Sequence, residues 1–191
     1  MKGTSNGTKR MESSILFFSG HGNSSLMHFY KDNSTDSSYD FTITAGSNSS
    51  SVVGLSSYNM SKVKLAVFAG CKTAKGTSNI TKSAYSKGAS GSLGWKESID
   101  AASHTEWLKN FWTDLSMGHS LAVSVAYANS FSYADSRVKQ TSYFGGLYSY
   151  KVLGAPSVMY TTTSLSNFHE KMEKPLFIKL TSQDESLSLI H

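Results

Sequence analysis

Ser14-Ile15-Leu16-Phe17-Phe18 stops at Ser19-Gly20-His21-Gly22, and Lys62-Val63-Lys64-Leu65-Ala66-Val67-Phe68-Ala69 stops at Gly70-Cys71-Lys72-Thr73. A short apolar run that ends abruptly at glycine is the pattern of a strand buried on both faces, and such strands belong to parallel sheets covered by helices on each side. Each of the two strands therefore delivers one reactive residue, His21 or Cys71, to the loop at its carboxyl end. Beyond Cys71, residues 78–87 read as a helix with Ile80, Ala84 and Tyr85 turned inward, Gly88 is placed to end it, and Ala89–Trp95 resumes as a strand. Strand, helix and strand in that order form a crossover, the unit of a parallel sheet.

The flanking segments extend the alternation. From Ser103 a helix is expected, with Ser103 as its cap, Glu106 three residues on as in a capping box, and Trp107, Leu108, Phe111, Trp112 and Leu115 forming one apolar stripe before Gly118. Ser120 followed by Leu121, Val125 and Ala128 suggests another helix. Leu26 to Tyr30 and Phe41 to Ile43 flank the turn-rich KDNSTDSS and could pair as a hairpin. Strands are plausible in 147–160, interrupted at Gly154-Ala155-Pro156, and in 175–180, without a place in the sheet order. This pattern favours an α/β sandwich. The 191 residues suit one domain, with 1–12 as a polar tail.

Composition narrows the function classes. No stretch approaches the roughly 18 apolar residues of a membrane span, and MKGTSNGTKRMESS lacks the apolar core of a signal peptide, so no membrane insertion is expected. If Met1 is the true start, this favours the cytoplasm. The net charge of +5 is spread over scattered lysines and arginines with no basic block, which argues against a nucleic-acid partner. His28, His104, His119, His169 and His191 show no metal-ligand spacing and there is a single cysteine, so no metal or other cofactor is expected. The glycine-rich GASGSLG lacks both common phosphate-loop patterns. A lone cysteine excludes an internal disulfide, and Cys71 must be explained as packing or as chemistry.

Chemistry is the more economical explanation. Functional groups in open parallel sheets gather beyond the carboxyl ends of the strands, so neighbouring strands would bring His21 and Cys71, fifty residues apart, to one site. A cysteine nucleophile needs a base to hold it as thiolate, and His21 meets that need. Backbone N–H groups near Gly22 and at Cys71 could bind a tetrahedral oxyanion, and Gly22 and Gly70 let substrate backbone approach. Lys62, Lys64, Lys72 and Lys75 would favour a thiolate wherever their charges lie near the sulfur. Glu97 and Asp100 follow the next strand and should reach the same edge, where they could hold a basic substrate side chain or merely start the following helix.

With these residues in hand, the chain resembles the caspase-like clan of cysteine peptidases, which includes gingipains, clostripain, separase and bacterial CHAT domains. The two run-and-loop motifs carry the likeness, and the stretch from Gly88-Ala89 through Leu93-Gly94-Trp95 and Asp100 into the Phe111-Trp112 helix is similar to the CHAT arrangement after its cysteine. The likeness covers roughly residues 13–130. It implies a caspase-like α/β/α sandwich with a mostly parallel sheet, His21 as base, Cys71 as nucleophile, and cleavage of a peptide or protein substrate after a side chain held in a deep pocket; Glu97 and Asp100, read on their own, would make that side chain Lys or Arg.

Two departures shape the expectation. Ala69-Gly70-Cys71-Lys72-Thr73 does not reproduce the caspase cysteine signature, so Asp-directed specificity is not carried over. Members of this fold also place further strand and helix units before the histidine strand, which implies a domain lacking its N-terminal units unless another segment or a partner chain covers the sheet. The alternatives are a catalytically silent caspase-like module that binds or regulates a partner, and a basic module for acidic partners.

Overall fold

A computed structural model describes residues 15–30, 39–46, 51–52, 57–146, 177–178 and 189–190. Its centre is a four-stranded sheet of β1 (Ile15–Ser19), β5 (Leu65–Ala69), β6 (Gly91–Trp95) and β7 (Thr141–Gly145), in that spatial order. The first three strands are parallel and β7 closes the far edge antiparallel to β6. A second sheet of β2 (His21–Gly22), β3 (Leu26–Tyr30) and β4 (Tyr39–Thr44) is antiparallel, so the expected hairpin exists. Two short strands, β8 (Phe177–Ile178) and β9 (Leu189–Ile190), pair with one another. The expected strand in 147–160 and the 1–12 tail lie outside the described residues.

The continuous apolar runs have a direct structural cause. Side chains alternate across a strand, and here both faces are covered. Ile15, Phe17, Leu65, Val67, Ala69, Leu93 and Trp95 share one core with helices α3 (Ala101–Ser116) and α4 (Leu121–Ser130). Leu16, Phe18, Ala66 and Phe68 share the other with Met27, Ile43, Met60 of α1 (Ser57–Ser61), and Ile80 and Ala84 of α2 (Ile80–Ser86). The protein is thus mixed α/β with a mostly parallel central sheet, an arrangement compatible with an α/β/α sandwich.

On the α3 side the packing is aromatic. Trp95 meets Trp107 edge-on at 5.1 Å and Phe17 meets Trp112 at 5.8 Å, both T-shaped contacts that add to the burial of these large rings. On the α2 side β6 presents only Ser92 and Gly94, and this lets α2 pack close: the Ser92 hydroxyl donates to the Thr81 carbonyl at 2.8 Å.

Several local expectations are corrected. The cap of α3 is Asp100, whose carboxylate accepts the Ser103 N–H at 2.9 Å; Ser103 lies inside the first turn and Glu106 is exposed, so no capping box forms. Tyr85, expected inward, is 43% exposed because Ile80 and Ala84 already fill the strip of α2 that faces the sheet. Residues 57–61 are helical, so the strand expected from Lys62 begins only at Leu65. Asn79 and Ser120 cap α2 and α4, accepting the N–H groups of Lys82 and Val123. The edge strand β7 and a 3-10 turn at Ser136–Lys139 had not been expected.

Candidate active site

The register of β1 and β5 places the two reactive residues. Ser19 is paired with Ala69, and Gly20 N–H donates to the Ala69 carbonyl at 3.2 Å, so the chains leave the sheet side by side and His21 and Cys71 each follow two residues later. Their side is fixed by alternation. A Cβ on Gly70 would meet Met27 Cε at 2.9 Å, which turns Gly70 toward the α2 core; Gly22, paired with Met27, faces the same way. His21 and Cys71 therefore belong to the α3 side. Cys71 is partly buried and His21 exposed.

The loop after β5 is held by Thr73. Its buried hydroxyl donates toward the Phe68 carbonyl at 2.8 Å and the Gly70 carbonyl at 3.1 Å, and accepts the Trp95 N–H at 3.2 Å. One side chain thus closes the turn that carries Cys71 and ties it to β6. Thr73→Val keeps the shape and deletes these bonds; the Phe68 carbonyl keeps the Gly70 N–H at 2.9 Å, while the buried Trp95 N–H loses this acceptor at about 1–3 kcal/mol. The expected loss is about 2 kcal/mol, read as a fall of about 4–8 °C in Tm by calorimetry. Thr73→Ser, which keeps the hydroxyl, should lose less.

The turn also carries strain. Lys72 adopts φ 59°, a left-handed conformation that is costly for a side chain with a Cβ, and its N–H is held by the Glu97 carbonyl at 3.1 Å. Among the described residues the Cys71 N–H has no hydrogen-bond acceptor, which leaves room for an oxyanion there. The alternating pattern of antiparallel bonds makes the same point for Gly22: Asn23 N–H donates to the Leu26 carbonyl at 2.9 Å, which turns the Gly22 N–H away from β3.

The sulfur of Cys71 faces the 96–100 loop. Ile99 N–H approaches Sγ at 3.5 Å, and Sγ lies 3.9 Å from the Ile99 carbonyl. Glu97 and Asp100 do come to this edge, but their carboxylates have partners. Glu97 meets Lys75 Nζ at 3.3 Å, and the Ser103 N–H holds the Asp100 carboxyl below its usual range. Of the four lysines expected to favour a thiolate, Lys62 and Lys64 sit at the opposite end of β5, roughly 15–20 Å from the sulfur. Lys62 instead lies over the Tyr58 ring at 4.5 Å.

No family model, curated protein or solved structure matches the chain. The site therefore rests on its own geometry, and that geometry includes residues the sequence reading passed over. His28 stands directly opposite His21 on the neighbouring strand, with Nδ1 3.0 Å from the Thr42 hydroxyl. Asp135 and Arg137 come to the site from the 3-10 turn. The Arg137 guanidinium beside Asp135 and the Asp100 N–H hold the Asp135 carboxyl down at about 2, so it is ionised throughout the neutral range. Asp135 in turn holds the Arg137 guanidinium above its usual range. Asp-x-Arg in a polar turn was the only available signal for this pair. Among the described residues no group of three or more His, Cys, Asp or Glu could hold a metal ion, and no helix is long and apolar enough to cross a membrane.

Proposed function

We propose that this chain is a caspase-like cysteine endopeptidase, with His21 as general base and Cys71 as nucleophile. The observation that carries the reading is the equal height of the two residues beyond adjacent parallel strands, on one side of the sheet. His21 takes the thiol proton, the thiolate attacks the scissile carbonyl, and the N–H groups of Cys71 and Gly22 receive the oxyanion. The imidazolium then protonates the leaving amine, and water, deprotonated by the same imidazole, hydrolyses the thioester. The resemblance of the two loop motifs to the caspase-like clan supports the same assignment of roles.

The side chain before the scissile bond is read as Lys or Arg, because Glu97 reaches this edge, while the carboxylate of Asp100 is held by the start of α3. A substrate cation would share Glu97 with Lys75, which is half exposed and free to swing away at little cost. The test is covalent labelling by peptidyl electrophiles carrying Lys, Asp or a neutral residue next to the reactive group. Labelling by the Lys probe in the wild type, lost in both Cys71→Ala and His21→Ala, is the expected result. A folded wild type that no probe labels would instead favour a silent binding module.

A further inference from the structure

We infer that Asp135 is a positioning residue for Cys71, acting through the backbone of the 96–100 loop. The inference rests on Cys71 as the reacting group, but it comes from a different part of the molecule, the turn between α4 and β7. Asp135 Oδ2 accepts the Asp100 N–H at 2.9 Å, and the next N–H back along the chain, that of Ile99, is the one that meets Cys71 Sγ at 3.5 Å. The carboxylate thus fixes the peptide plane that joins Ile99 to Asp100, and with it anchors the residue whose own N–H and carbonyl both face the sulfur.

The rest of the turn is built to keep this carboxylate still. Oδ1 accepts the Arg137 backbone N–H at 3.0 Å and Nε at 2.8 Å, and Oδ2 also accepts Arg137 Nη2 at 3.1 Å, so the guanidinium grips it with two nitrogens. Asp135 N–H donates to the Ser103 hydroxyl at 3.0 Å, which fastens the turn to the first turn of α3. At the other end of the loop, Lys96 N–H donates to the Gln140 carbonyl at 2.7 Å, and Trp95 Nε1 to the Val138 carbonyl at 2.9 Å. Segment 135–140 thus brackets the loop from Trp95 to Asp100. An N–H held toward sulfur stabilises the thiolate over the thiol, so displacing it should slow reaction at Cys71.

Substitution at Asp135 changes charge as well as geometry, and the two can be separated. Asp135→Asn and Asp135→Ala remove the same charge, but only Asn can still accept the Asp100 N–H. Asp135→Glu keeps the charge and moves the carboxylate by one methylene, out of reach of one of its partners. The readout is the second-order rate of Cys71 alkylation by iodoacetamide at pH 7 on the full chain, with the folded fraction followed by circular dichroism. Ser120→Ala, which weakens a helix cap away from this network, serves as a stability control and should alkylate at the wild-type rate. The expected result is alkylation at least about five-fold faster in Asn than in Ala, and slower in Glu than in wild type. Equal rates in Asn and Ala would overturn the inference, as would a wild-type rate in Glu, which also decides the matter if Ala does not fold. Alkylation needs no peptide turnover, so loss of the peptidase reading would leave a positive result standing.

Discussion

Gly94→Ala is expected to destabilise the protein by about 3–5 kcal/mol, a large effect for a single added methyl group. A Cβ at this position would collide with Thr81 Oγ1 and lie 2.8 Å from Thr73 Oγ1 and 3.2 Å from Ala74 Cβ. Neither hydroxyl can step aside cheaply. Thr81 Oγ1 donates to the Thr73 carbonyl at 2.9 Å, and Thr73 Oγ1 closes the turn before it, so each movement breaks a buried hydrogen bond. Against a typical total stability of about 5–15 kcal/mol this is a large fraction. Urea unfolding would measure it. The cause can be isolated with Thr81→Ala, which removes the colliding oxygen: the double variant should be more stable than the sum of the single losses predicts. Strict additivity would show that the collision is not the source of the cost.

Gly94 also marks where sequence reading stops. The β6 strand was legible because Leu93 and Trp95 lie in a run bounded by turn residues, yet nothing in GSLGW says that its second glycine makes room for two threonine hydroxyls. Legibility followed burial. The buried strands β1 and β5 announced themselves as unbroken apolar runs, and α3 as a stripe of tryptophan, phenylalanine and leucine. The edge strand β7 did not, because Thr141–Gly145 is partly or fully exposed throughout and needs no apolar pattern. Tyr85 was misread for a related reason: an aromatic at helical spacing suggests an inward face, but a seven-residue helix has room for little more than one strip of buried residues.

The same contrast divides the candidate site. His21 and Cys71 were legible because each ends an apolar run, and the strand end is where parallel sheets concentrate chemistry. Ile99, Asp135 and Arg137 were not, since their contribution is made by backbone amides and by a polar turn over thirty residues from the loop it braces. Asp100 could be read two ways, and the structure uses it as the cap of α3. A carboxylate at a strand end reads as a substrate ligand and as a helix start alike, because a cationic substrate and a helix N-terminus each call for negative charge.

His21→Gln is expected to lower kcat/KM for peptide hydrolysis by about 10²–10⁴-fold, the range a positioned general base contributes. The competing candidate is His28, which faces His21 across the β2–β3 pair, where opposed Cβ atoms stand about 5 Å apart. Two observations favour His21, its place in the chain and its exposure. It follows Ser19, the residue paired with Ala69, so it lies beside the chain that carries Cys71, whereas His28 is one strand further out. His21 is exposed and His28 half-buried. His28→Gln should therefore cost less than about ten-fold, through a small change in how β2 is held. Hydrolysis of the fluorogenic peptide that matches the best labelling probe would compare the two variants, with Cys71→Ala setting the background. A larger loss at His28 would move the base to the second strand. Equal and large losses would mean that the histidines act as a coupled pair, with Thr42 as the orienting partner of the pair.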